Sequence, residues 1–183
     1  MNSFTQLKDA ESVLPILSKI SIFGGATDFQ RREIFGRLET RFFKKGDCIF
    51  QRGDEPEHIY IVKSGEVDLR ITDNEVVLHK KVLEVGECFG EASLMSMHRH
   101  TATAIAAADT EIIALARHAL NQLRHEDPAL FSLLLINIAR ELARRLKTTD
   151  DILLHYLHSA KNGGGSCHSV RDAKENASAT NPL

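Results

Sequence analysis

Val67, Leu69 and Ile71 alternate with Glu66, Asp68, Arg70 and Thr72. A period of two puts the apolar side chains on one face, so the spacing predicts a half-buried strand. Residues 59–62 form a short apolar run before a turn at Ser64-Gly65, and further turns fall at Asp73-Asn74 and Gly86. Strand character returns over 101–106 and 110–115. Short strands separated by turns, from residue 41 to about 116, predict an antiparallel sandwich or barrel.

The two ends follow another rhythm. Residues 1–38 read as helical, with Ser12 to Pro15 starting one short helix and Gly24-Gly25 dividing it from the next. Thr27 and Gln30 have capping-box spacing, and Phe29, Ile34, Phe35 and Leu38 supply an apolar face. Asp127 and Pro128 match the N-cap and first position of a long helix. Along it, Leu135, Ala139, Leu142, Leu146, Thr149, Leu153 and Tyr156 recur at alternating spacings of four and three. That is a coiled-coil seam and predicts a symmetric homodimer, while Leu130, Phe131 and Leu134 are expected to touch the strand layer. Glu141 and Arg145 add an i,i+4 pair worth about 0.2–0.5 kcal/mol. The stretch 161–183 has almost no large apolar residues and reads as a disordered tail. The expected organisation is therefore N-terminal helices over 1–38, a β domain over 39–117, C-terminal helices over 118–160, and the tail.

Length and charge narrow the class. A chain of 183 residues holds one ordinary domain with a real core. A net charge of −2 gives no general attraction to nucleic acid or an anionic membrane. Three widely spaced cysteines, Cys48, Cys88 and Cys167, suggest reduced thiols in a cytoplasmic protein. No run of about 18 apolar residues and no apolar signal core occurs, so no membrane partner is expected.

The chemistry concentrates in GECFGEASLMSMHRHTAT, residues 86–103. A glycine beside a short helical turn brings backbone N–H groups close to an anion. A neighbouring carboxylate accepts hydrogen bonds from ligand hydroxyls, and a downstream cation neutralises the anion. Together these suit a phosphorylated sugar; the alternative is a turn that merely covers the end of a barrel.

FGEASL followed by HTAT resembles the phosphate-binding cassette of cyclic-nucleotide-binding domains. QRGDEPEHIYIVKSGEVDLRI is similar to the same family's Gly-Asp and Tyr-Ile-x-x-Gly-x-Val signature. ELARRLKTTDDI resembles the long helix of bacterial catabolite activators, so the likeness covers roughly residues 19 to 157. It implies a mainly β fold with flanking helices: a jelly-roll, double-stranded β-helix β-roll with N-terminal helices and a long C-terminal helix. It also implies a non-enzymatic regulatory module in signal transduction, with cyclic AMP or cyclic GMP as ligand and no metal.

The ligand residues implied are Phe89, Gly90, Glu91, Ala92, Ser93, Arg99, His100, Thr101 and Thr149. Glu91 would accept from the ribose 2′-OH, and the N–H groups around Gly90, Ala92 and Ser93 would face the phosphate. Thr149 would approach the base. One departure stands out: His100 occupies the place of the family's arginine, and Arg99 comes one position early. Histidine is mostly neutral at pH 7 and lacks the bidentate fork, so weakened binding is expected. The alternative is a degenerate, ligand-free dimerisation module.

Other readings are poorer. Activators of this family carry a winged helix-turn-helix after the long helix, and none follows here, so DNA is not an expected partner. The downstream protein partner is not named by the sequence. His98-x-His100 resembles the metal pair of cupins, but Ala104 and Ile105 stand where their glutamate belongs. His155, His158, Cys167 and His168 match no compact zinc spacing.

Overall fold

The computed structural model describes residues 3–73 and 76–162. The tail from 163 onward, with Cys167 and His168, and Asn74 of the expected turn lie outside the described residues. The chain divides into two units at Ala143 and Arg144.

Among the described residues of the first unit there are nine strands: β1 Thr5–Gln6, β2 Leu38–Phe43, β3 Cys48–Phe50, β4 His58–Ser64, β5 Val67–Asp73, β6 Val76–Leu83, β7 Cys88–Phe89, β8 Thr103–Ala106 and β9 Thr110–Ala116. They build a five-stranded sheet, β1-β2-β9-β4-β7, and a four-stranded sheet, β3-β8-β5-β6. The strand pairings are antiparallel. This is the β-roll expected from the turn spacing and the family likeness. The helical elements among the described residues are α1 Ala10–Leu17, a 3-10 turn Ser21–Phe23, α2 Asp28–Phe35, α3 Glu91–Ser96, α4 Arg117–Glu126 and α5 Pro128–Asn162, the last continuing from the first unit into the second.

The central strands are apolar on both faces, and the two faces do different work. Ile59 and Ile61 of β4, with Ile113 and Leu115 of β9, join the cluster under the helices. Tyr60, Val62, Ile112 and Ala114 point the other way, into the roll. Each fully buried Leu or Ile contributes roughly 1.5–3 kcal/mol. β5 keeps the alternation read from the sequence, with Val67 and Leu69 inside. Asp68, on its opposite face, is nevertheless buried and accepts from Arg70 Nε at 2.7 Å.

Local signals set the helix ends. Gln30 N–H donates to Thr27 Oγ1 at 3.2 Å, and Thr27 N–H to Gln30 Oε1 at 3.1 Å, completing the capping box. Leu130 N–H donates to Asp127 Oδ1 at 2.9 Å, so Asp127 caps α5 as expected. Buried Asn137 ties α5 to the 3-10 turn through the Ile22 and Gly24 carbonyls.

Several details differ from the sequence reading. Phe29, expected on the apolar face of α2, is 74% exposed, and Leu38, expected on the same face, begins β2 instead. Thr5–Gln6 is a strand, because it adds to the free edge of β2 where no local pattern of its own is needed. α1 begins at Ala10, which leaves Pro15 inside the helix. Leu142 of the seam packs on the helix-side core of its own chain. The second unit's helical residues do keep the seam exposed, with Leu146 at 63%, Leu153 at 57% and Tyr156 at 51%.

The turn between β4 and β5 sets how tightly the roll closes. Gly65 has φ +81°, and a Cβ there would lie 2.4 Å from the Asp109 carbonyl oxygen. Thr110 Oγ1, fully buried, both accepts from Glu66 N–H at 3.1 Å and donates to the Glu66 carbonyl at 3.0 Å.

Candidate functional site

β7 ends at Phe89, and the next residue, Gly90, has φ +83°. A Cβ there would sit 2.8 Å from Tyr60 Cδ2 and 3.1 Å from the His58 carbonyl, so both backbone and space require glycine. α3 starts immediately. Leu94 N–H, bonding back to the Gly90 carbonyl at 3.1 Å, makes its first intrahelical hydrogen bond. The N–H groups of Glu91, Ala92 and Ser93 therefore have no acceptor within the helix. Glu91 is fully buried and Ser93 nearly so, while Ala92 is exposed. The helix stops at Met97, the one non-glycine residue with positive φ among the described residues.

His100 is held from both sides. Its N–H donates to the Asp54 carbonyl at 2.9 Å, and its carbonyl accepts from Gly53 N–H at 2.8 Å. The imidazole, 3% exposed, lies parallel to Phe50 with centroids 3.7 Å apart. Its Nε2 has no hydrogen-bond partner among the described residues. Burial holds its pKa below the ordinary histidine value, against the opposing pull of Asp54. Arg99 turns outward, donating to the Gly53 carbonyl at 2.7 Å and pairing with Glu55. Thr101 is exposed. Thr149 belongs to the second unit, where its hydroxyl donates to the Arg145 carbonyl at 2.9 Å.

Phe89, Gly90, Glu91, Ser93 and His100 thus fall into one segment that borders the roll interior. That interior is aromatic: Tyr60 lies 5.1 Å from Phe89, 5.4 Å from Phe50 and 6.5 Å from His100. Burial, with Glu57 and Asp54, pushes the Tyr60 phenol up to about 12 against the influence of Arg41. It stays protonated at neutral pH and keeps a donor.

The sequence reading missed the far side of Tyr60. Phe4 stacks on His58 at 4.9 Å and lies 6.2 Å from Tyr60 and 6.4 Å from Phe43. The Arg41 guanidinium sits 4.4 Å from the Phe43 centroid and 5.8 Å from that of Phe4. His58 Nε2 is 3.5 Å from Glu39, yet burial lowers its pKa more than Glu39 raises it. The available signal was the inward register of Glu39, Arg41 and Phe43: a period of two places a charge on the face of an aromatic core residue.

His98 and His100 diverge. His98 is exposed and its Nδ1 donates to the Ser96 carbonyl at 2.6 Å. No group of three or more His, Cys, Asp or Glu among the described residues is placed to hold a metal ion. No helix among them is long and apolar enough to cross a membrane.

Comparison with known proteins agrees with the fold. Residues 40–127 match the family model of the cyclic nucleotide-binding domain. The cAMP-dependent protein kinase regulatory subunit of Hypocrea atroviridis is 31% identical over 58% of this chain and 22% of that protein. The cyclic AMP receptor protein of Thermus thermophilus is 36% identical over 62% of this chain and 51% of that protein. The crystal structure of the Thermus thermophilus catabolite activator protein superposes with a TM-score of 0.66 at 32% identity, covering 75% of this chain and 63% of that one. The chain thus spans between about a fifth and a half of the length of these two relatives.

Proposed function

We propose, from the premise that residues 40–127 belong to the cyclic nucleotide-binding domain family, that this chain is a cytoplasmic regulatory module that binds cyclic AMP or cyclic GMP. The observation that carries the reading is Glu91, fully buried at the start of α3 beside a glycine that no other residue can replace. Glu91 accepts from the ribose hydroxyls. The N–H groups of Ala92 and Ser93 face the cyclic phosphate, and Phe89 and Tyr60 wall the pocket. The module itself performs no catalysis. It signals through movement of its C-terminal helix to a downstream protein. Calorimetric titration with both cyclic nucleotides tests this, and the absence of heat with either at millimolar ligand rejects it.

Homodimerisation through the C-terminal helix belongs to the same proposal. Exposed Leu146 and Leu153 are its motive. Leu146→Glu combined with Leu153→Glu is expected to give monomers by light scattering, because the seam would bury unpaired carboxylates. Wild-type protein that scatters as a monomer at tens of micromolar overturns the dimer.

A second reading has its own support. Burial disfavours the charged form of His100, whose ring is already stacked on Phe50, and this suits a ligand-free interaction module that kept the roll. The same titration separates the two.

A further inference from the structure

His100 stands where the family likeness leads one to expect a guanidinium, but a buried imidazole stacked on Phe50 lacks a guanidinium's permanent charge. The only other cation in the segment, Arg99, is engaged with Gly53 and Glu55. A cyclic phosphate carries a full negative charge, and backbone N–H groups alone leave it poorly compensated in a low-dielectric interior. A permanent cation elsewhere on the interior wall would meet that need.

Arg41 is such a cation. It projects from the same face of β2 as Phe43, a member of the roll's interior cluster. Its guanidinium rests on the Phe43 ring, and its Nε is buried without a hydrogen-bond partner among the described residues. A guanidinium does not shed its proton, so this position holds a charge whatever the pH. The cation–π contact offsets part of the desolvation cost and leaves donors unused. Tyr60 links the two sides: the charge of Arg41 acts on its phenol, while its ring abuts Gly90.

The carboxylates nearby are committed or face water. Glu39 pairs with His58. Asp54 Oδ2 accepts from Gln51 N–H at 2.8 Å, and Glu57 is exposed. Phe4 is the cover on this side, held by a two-residue strand and its stacking on His58.

We propose that Arg41, roofed by Phe4, supplies the positive charge for the ligand's anionic group in place of the arginine that His100 replaces. This rests on the cyclic-nucleotide reading above. Cyclic AMP and adenosine share base and ribose and differ in charge, so paired titrations of the full chain isolate the effect. Arg41→Gln is expected to weaken cyclic AMP binding by about tenfold or more, as for a lost hydrogen bond to a charged group, and to leave adenosine within about twofold. Arg41→Lys should recover part of the loss. Equal losses for both probes, or no loss for cyclic AMP, overturn the proposal. If Arg41→Gln does not fold, Phe4→Ala decides: uncovering the guanidinium should tighten cyclic AMP several-fold and adenosine not at all. A gain for both probes, or for neither, overturns it. Wild-type protein that binds neither probe removes the nucleotide reading itself, an outcome visible in the wild-type trace before any variant is compared.

Discussion

The two faces of the five-stranded sheet make a natural contrast. Under the helices the core is almost wholly aliphatic: Leu17, Ile20, Ile22, Ile34, Leu38, Ile59, Ile61, Ile113 and Leu115 are sealed there. Its buried polar group, Asn137, has both its carbonyl partners. Inside the roll aromatic and small residues mix with the aliphatics: Phe43, Phe50, Tyr60 and Phe89 are set among Ala104, Ala106 and Ala114, beside Val62, Val67, Leu69, Leu83 and Ile112. Two buried nitrogens there, Arg41 Nε and His100 Nε2, have no partner among the described residues. A face that satisfies its polar atoms is built to be stable. A face that leaves them open carries a cost that binding can relieve.

The largest effect expected from this contrast lies on the helix side. Ile113→Ala should lower unfolding free energy by about 2–5 kcal/mol, as for other buried aliphatic truncations. Ligand selectivity should not change. Urea titration measures the first and calorimetry the second. A variant that loses selectivity while keeping its stability would erase the distinction between the faces.

Next comes Glu91→Gln. It preserves volume and removes the charge proposed to receive the ribose hydroxyls, so cyclic-nucleotide affinity should fall by about 1.5–3 kcal/mol. The melting curve should stay close to wild type. Unchanged affinity takes Glu91 out of the site.

The smallest effect is a pair of opposite pH trends from His100. In the free protein its pKa is lowered by burial. The unfolded chain then binds a proton more readily than the folded one between the two values. Stability from this group is complete above about pH 6.5 and is lost as pH falls towards the folded value. His58, lowered for the same chief reason, adds to the loss. A bound phosphate favours the charged imidazole instead, so affinity should rise as pH falls over that range. His100→Arg should flatten the affinity trend and tighten binding at pH 8. Affinity that drops with acid in the wild type would place the phosphate away from His100.

Legibility in the sequence followed the same divide. Period-two β5, the capping box at Thr27 and the Asp127 cap are local, and each appeared where its spacing indicated. The turn into α3 was legible because Gly90 and Glu91 are adjacent in the chain. The pairing of β2 with β9 was not, since Thr40 meets Ile113 across most of the domain. The Arg41 and Phe4 cluster was missed for that reason: Phe4, Arg41 and His58 meet only once distant strands have closed the roll.

Closure also has a timetable. The turn at Gly65 meets Asp109 and Thr110, more than forty residues away in sequence, with no room for a single added methyl. A contact of such long range is reached after most loop-closing entropy has been lost, so it belongs on the native side of the folding barrier. Gly65→Ala should therefore leave the refolding limb of a chevron nearly unmoved and steepen the protein's escape from the native state. A slowed refolding limb would instead make this interlock part of the nucleus. On the first outcome, Gly65 governs how long the roll stays shut rather than how quickly it forms.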